Sequence, residues 1–132
     1  MKAVDAYCRS GWDPRDGRSS VLSQAHELRR YAGRRGLTIR RAYTDRATSG
    51  MTLDRSELGK LIADCRAGKI GTIVTTDPER LSRDTGQLVE LHDIFRKTGV
   101  RVEFTTAAGW PRFDFLRIVL SAVAELEETA NA

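Results

Sequence analysis

The stretch TDPERLSRD, Thr76 to Asp84, packs Glu79, Arg80 and Arg83 into five positions where an apolar run, KIGTIVTTD, gives way to a helical one. Arg80 and Arg83 lie three apart, so their guanidinium forks can converge on one anion, and the start of the following helix adds amide donors. Glu79 can hold one of these arginines in place or move a proton. A second polar segment, YTDRATSGMTLDR, contributes Asp45, Ser49 and Arg55, and a third, AYCRSGWDP, contributes Arg9. Arginines drawn from separate loops to one point suit the stabilisation of a phosphoryl transition state, whose charge is spread over several oxygens. The plain alternative for each is a solvated or helix-pairing side chain. AYCRSGWDP also poses the question of a nucleophile: Cys8, Ser10 or neither. Pro14 supplies no amide donor, so a cysteine-centred phosphate loop does not fit, and Cys8 reads as a small core residue.

Positioning these residues requires a scaffold, and the hydropathy pattern supplies one. MKAVDAYCR, LTIRRAY, KIGTIVTTD and VRVEFTT have the β-branched and apolar character of strands. Between them, SVLSQAHELRRYAGRRG reads as a helix capped by Ser19 or Ser20 and ended by Gly36. Leu58, Leu61, Ile62 and Cys65 form a one-face helical stripe closed at Gly68. Asp84 caps a third helix whose buried face is Leu88, Leu91 and Phe95, with Gly99 closing it. A last helix, FDFLRIVLSAVAELEE, carries Phe113, Leu116, Leu120 and Val123 on one side. Alternating strands and helices predict a three-layer α/β fold. Its four- to five-stranded, mainly parallel sheet has helices on both faces. In such sheets ligands bind beyond the carboxyl ends of the strands, which is where the three polar loops fall.

At 132 residues the chain suits one domain, spanning residues 1–132. With 22 lysines and arginines against 18 acids it is basic, mostly through arginine, which favours a phosphodiester partner over a membrane surface. No apolar segment is long enough for a membrane span or a secretory signal, and the expected location is the cytoplasm. Cys8 and Cys65 are expected as reduced, buried thiols. Neither joins His26 or His92 at a metal-ligand spacing, and no metal or other cofactor is expected. His26 and His92 read as surface or packed residues, and Trp12 and Trp110 as aromatics packing loops near helix starts.

Five segments in order resemble the catalytic domain of the serine recombinases, the resolvase and invertase family, with spacing nearest that of its larger members. YCRSG is similar to the family's opening Tyr-x-Arg-x-Ser, SVLSQ to the segment carrying its Gln, and YTDRATSGMTLDR to its Asp, Ser-Gly and Asp-Arg loop. ERLSRD is similar to its Asp-Arg-Leu-x-Arg signature, and LSAVAELEE to its long dimerisation helix, with Glu127 at the family's Glu. The resemblance implies site-specific DNA strand cleavage and rejoining through a phosphoserine link, within a homodimer that pairs into a tetramer. It assigns the phosphate to Arg9, Arg55, Arg80 and Arg83, with Glu79 beside them and with Tyr7, Gln24, Asp45, Ser49 and Glu127 in support.

Two departures stand out. The family's serine position falls on Gly11, leaving Ser10 as the candidate nucleophile one residue early, and in an extended strand residues 10 and 9 face opposite sides. Glu79 stands where the family has Asp. No segment reads as a sequence-recognition module, so two functions follow from the resemblance. One is a recombinase domain using Ser10; the other is a catalytically inactive dimerisation or regulatory module that binds DNA phosphates or a recombinase partner.

Overall fold

The computed structural model describes residues 2–11, 21–46, 55–106, 109–112 and 122–128. Four strands, β1 (Lys2–Arg9), β2 (Leu37–Asp45), β3 (Thr72–Thr75) and β4 (Arg101–Phe104), form a sheet in the order β2-β1-β3-β4. Every adjacent pair is parallel. The helices are α1 (Val21–Arg35), α2 (Ser56–Arg66), α3 (Pro78–Leu81) and α4 (Thr85–Lys97). The chain steps from β1 to one side for β2 and to the other for β3, so the strand order reverses between β1 and β3. That reversal opens a crevice at their carboxyl ends.

Side-chain alternation along β1 splits the interior into two layers. Tyr7 faces one layer with Tyr43 and Ile73, packed by Leu58, Leu61 and Cys65 of α2 and by Leu88, Leu91 and Phe95 of α4. Val4, Ala6 and Cys8 face the other, with Val74 and Leu28 of α1. The β1–β2 register slips between Val4 and Asp5, leaving Arg40 as an extra residue in β2. The bulge flips the parity of the strand: Leu37 and Ile39 pack on the α1 layer, whereas Tyr43 joins the opposite one. Arg40 is tied down by Asp5 at 2.7 Å and by the Lys69 carbonyl at 2.9 Å.

The helix boundaries follow from capping. The Asp84 side chain accepts from the Gln87 amide at the start of α4, as its sequence position predicts. Gly36 and Gly99 end α1 and α4 at φ of 65° and 74°, a conformation that side chains disfavour. Two elements depart from the expected limits. β2 runs to Asp45 rather than Tyr43, because Thr44 and Asp45 pair with Cys8 and Arg9 despite their polarity. The segment expected as a loop from Asp77 to Asp84 contains α3, started by Pro78, whose ring presets the backbone, and anchored by fully buried Leu81.

Trp110 packs edge-on against Phe104 and His92, with ring centroids 5.2 and 5.0 Å apart, and so braces the α4 layer. His26 is exposed on α1. Residues 122–128 are helical and exposed. Phe113, Leu116 and Leu120 of the expected last helix lie outside the described residues, as do Trp12, Ser19, Ser20 and Ser49. No helix among the described residues is long and apolar enough to cross a membrane.

Candidate active site

Arg9 is the last residue of β1 and is wholly buried. β1 pairs with β3 at Asp5 and Ala6, so beyond that ladder the backbone of Arg9 needs another partner. Gln24 of α1 supplies it: its Oε1 accepts from the Arg9 amide at 3.0 Å and its Nε2 donates to the Arg9 carbonyl at 2.7 Å. Thr75 makes a related tie, its hydroxyl donating to the Tyr7 carbonyl at 2.9 Å. With its backbone clamped, the Arg9 guanidinium reaches under α3 and donates to the carbonyls of Arg80 (3.3 Å) and Glu79 (3.1 Å).

Arg55 enters the same pocket from the residue before α2. It donates to the Tyr7 hydroxyl and to the Arg80 carbonyl, each at 3.0 Å, and to the Leu81 carbonyl. Tyr7 donates to Asp45 at 2.7 Å. The same carboxylate accepts from the amides of Glu57 and Leu58, each at 3.0 Å, and so caps α2 from the end of the neighbouring strand. Arg80, largely buried, donates to the Arg9 carbonyl at 3.3 Å and pairs with Asp77 at 3.7 Å across α3. Arg83 is exposed at the mouth of the cluster.

Main-chain carbonyls thus hold much of the geometry, and carbonyls orient a guanidinium without cancelling its charge. The consequence is visible at Arg9, whose guanidinium is pushed down to about 10 by burial first and then by the positive fields of Arg55, Arg83 and Arg80. It remains protonated at neutral pH, and an anion beside it relieves the repulsion. Burial raises the Tyr7 hydroxyl well above its ordinary range, which keeps it a neutral donor to Asp45.

The sequence-derived set is therefore largely brought together: Tyr7, Arg9, Gln24, Asp45, Arg55 and Arg80 form one bonded network, with Arg83 within electrostatic reach. Glu79 joins it through its carbonyl, not through its carboxylate, which stands exposed, so the added methylene relative to Asp does not enter the bonding. Glu127 stands exposed in the run 122–128, with no bond to the cluster among the described residues. Ser49 lies outside the described residues. Sequence reasoning missed Asp77 and Thr75; the i, i+3 spacing of Asp77 and Arg80 was the available signal for the first.

Ser10 and Gly11 follow Arg9 directly. The Ser10 amide donates to the Asp45 carbonyl at 2.9 Å, which extends the β1–β2 pairing by one residue. Strand alternation then directs the Ser10 side chain to the Cys8 side of the sheet, opposite Arg9. A Cβ built on Gly11 meets nothing within 4 Å among the described residues. Cys8 itself is buried, and burial pushes its thiol up to about 11, so it is a protonated core group at neutral pH. Cys8 and Cys65 are both free thiols. Among the described residues, no group of three or more His, Cys, Asp or Glu side chains gathers to hold a metal.

Residues 6–132 match the family described as "Resolvase, N terminal domain". The chain is 31% identical over 98 residues to a resolvase of Clostridium perfringens (strain 13 / Type A), covering 70% of this chain and 50% of that one. It is 29% identical over 112 residues to a putative DNA recombinase of Bacillus subtilis (strain 168), covering 83% of this chain and 22% of the relative. The match thus spans half or less of these relatives' length. Among solved structures, the N-terminal catalytic domain of TP901-1 integrase is similar at 26% identity and a TM-score of 0.70, with 99% of this chain and 100% of that chain covered. The C-terminal catalytic domain of ISC1926 TnpA, an IS607-like serine recombinase, shares the fold at 21% identity and a TM-score of 0.68, covering 98% and 84%.

Proposed function

Because this chain belongs to the resolvase family, matching its N-terminal domain over residues 6–132, we propose that it grips a DNA phosphodiester in the cluster of Arg9, Arg55, Arg80 and Arg83 without cleaving it. The observation that carries this reading is a charged, anion-seeking cluster beside a nucleophile position occupied by glycine. Arg9, depressed by burial and then by three neighbouring arginines, is relieved by an anion bound beside it. Arg83, exposed at the mouth, is the first to meet the strand, and Arg80 and Arg55 are braced by the carbonyls behind it. As a member of a DNA-acting family it would work in the cytoplasm, as a homodimer that pairs into a tetramer and engages either DNA alone or an active recombinase partner.

Cleavage in this fold would require a hydroxyl on the Arg9 side of the strand. Such a hydroxyl at residue 11 would attack phosphorus, form an Oγ–P ester and release a deoxyribose hydroxyl, with the arginines stabilising the charge that develops on the phosphoryl oxygens. Ser10 lies on the other side by strand alternation, so the exchange lacks its attacking group. One specific feature favours a second reading, that Ser10 is only half-buried and adjoins Gly11, where a local turn would swing it toward the phosphate.

Covalent trapping separates the two. The domain is fused to the DNA-binding module of an active relative, incubated with that module's site, and run on a denaturing gel. The expected result is no adduct for the parent and a protein–DNA adduct for Gly11→Ser. An adduct in the parent that disappears in Ser10→Ala would overturn the proposal and make Ser10 the nucleophile.

A further inference from the structure

The solvent face of α1 is strongly basic. Arg29, Arg30 and Arg34 are all exposed, and among the described residues none of the three is bonded to an acid. The helix carries one acid, Glu27, whose carboxylate takes the hydroxyl of Thr105 at 3.1 Å. Arg35 is occupied otherwise, lying over the Tyr31 ring at 5.4 Å. Arginines in a last helical turn stabilise the helix dipole, which accounts for Arg34 and Arg35. It does not account for Arg29 and Arg30, which sit mid-helix.

Arg30 and Arg34 are one turn apart on a single flank, with Arg29 beside them around the helix. The stripe lies on the same helix that braces the arginine cluster. Gln24, on the same helix, clamps the backbone of Arg9, and Arg30 and Arg34 follow it by about 9 and about 15 Å along the axis at about 1.5 Å per residue. Glu27 lies on the same flank and lines one surface hollow with Arg30 and Arg34, its carboxylate engaged by Thr105, so Arg30 and Arg34, with Arg29 beside them, face a polyanion there against one acid.

We propose that this face of α1 is a second contact for the phosphate backbone of duplex DNA, extending the grip of the arginine cluster along the domain. The inference rests on the reading of DNA as the partner. Its chemistry is sequence-independent: guanidinium forks on phosphate oxygens, with release of condensed counterions. The contacts position a duplex and read no bases.

The test is fluorescence anisotropy of a labelled duplex of arbitrary sequence against the full chain, from about 50 to about 200 mM salt. Three proteins are compared: the parent, the triple variant Arg29→Ala/Arg30→Ala/Arg34→Ala, and Arg83→Ala, with circular dichroism verifying that each is folded. The triple variant is expected to bind at least about tenfold more weakly, and its slope of log affinity against log salt to be shallower by about two to three. Unchanged affinity and slope in the triple variant overturn the inference and leave the face to an acidic protein. If Arg83→Ala still weakens binding in that case, the reading of the arginine cluster stands. Absence of duplex binding by the parent at the lowest salt overturns both.

Discussion

A single step along a strand separates Ser10 from Gly11, and that step decides which side of the sheet a hydroxyl reaches. The arginines around it are set by the same rule: Arg9 shares the parity of Tyr7, so both face the layer where Arg55 and Arg80 wait. This leaves Arg9 charged under strain. Burial and then the neighbouring arginines hold its folded-state value at about 10, below the ordinary arginine range, so folding disfavours the charged form, and the stability this costs is missing at every pH below about 10. A bound dianion offsets the loss. Thermal melts in phosphate are therefore expected to exceed those in chloride at matched ionic strength, by about 2.7 kcal/mol when phosphate is a hundredfold above its Kd. Arg83→Ala, a change at an exposed residue, is expected to leave the chloride melt within about 0.5 kcal/mol and to shrink the phosphate gain. Equal melts in the two salts would count against an anion site.

At the scale of elements, the site depends on helix ends seated on strand ends. The start of α2 is capped by Asp45 from β2, and that carboxylate simultaneously fixes Tyr7, which fixes Arg55. Asp45→Ala is expected to cost about 2–4 kcal/mol, because it strands two helix amides and a buried hydroxyl; Asp45→Asn, which keeps one acceptor, should cost less. Urea unfolding with an unchanged m value reads this directly, and a midpoint within experimental scatter of the parent would refute the cap. The sequence announced the helices well, since caps such as Asp84, terminators such as Gly36 and stripes such as Leu58, Leu61 and Cys65 are local signals. It did not announce what is long-range. Thr44 and Asp45 are strand because β1 pairs with them, the parity flip at Arg40 interrupts the alternation that reveals a strand, and the four residues of α3 are too few to show a period. In the site, residue types were legible in Arg9, Arg55 and Arg80. Their bonding to main-chain carbonyls was not, since carbonyls carry no residue signature.

The whole molecule is a sheet between two apolar layers, and each layer holds one thiol: Cys8 with Leu28 and Val74 beneath α1, Cys65 with Tyr43 and Phe95 beneath α2 and α4. Burial raises both to about 11 from about 9. A raised thiol contributes stability that is complete below the unfolded value and is lost as pH climbs through the folded one, so folding stability should fall between about pH 9 and about pH 11. Arg9 acts in the opposite sense above about pH 10, where loss of its proton relieves the cost of its burial and the repulsion of its neighbours, so the two effects are separated by a variant. In Cys8→Ala/Cys65→Ala the decline between about pH 9 and 10 is expected to flatten. The same thiols report whether the layers open together. If the molecule unfolds as one unit, a thiol reagent modifies Cys8 and Cys65 at equal rates that track global stability in denaturant. A Cys8 that reacts first would mean that the α1 layer, covered by one helix among the described residues, opens by itself, carrying Gln24 away from Arg9 and dismantling the anion site before the rest of the fold yields.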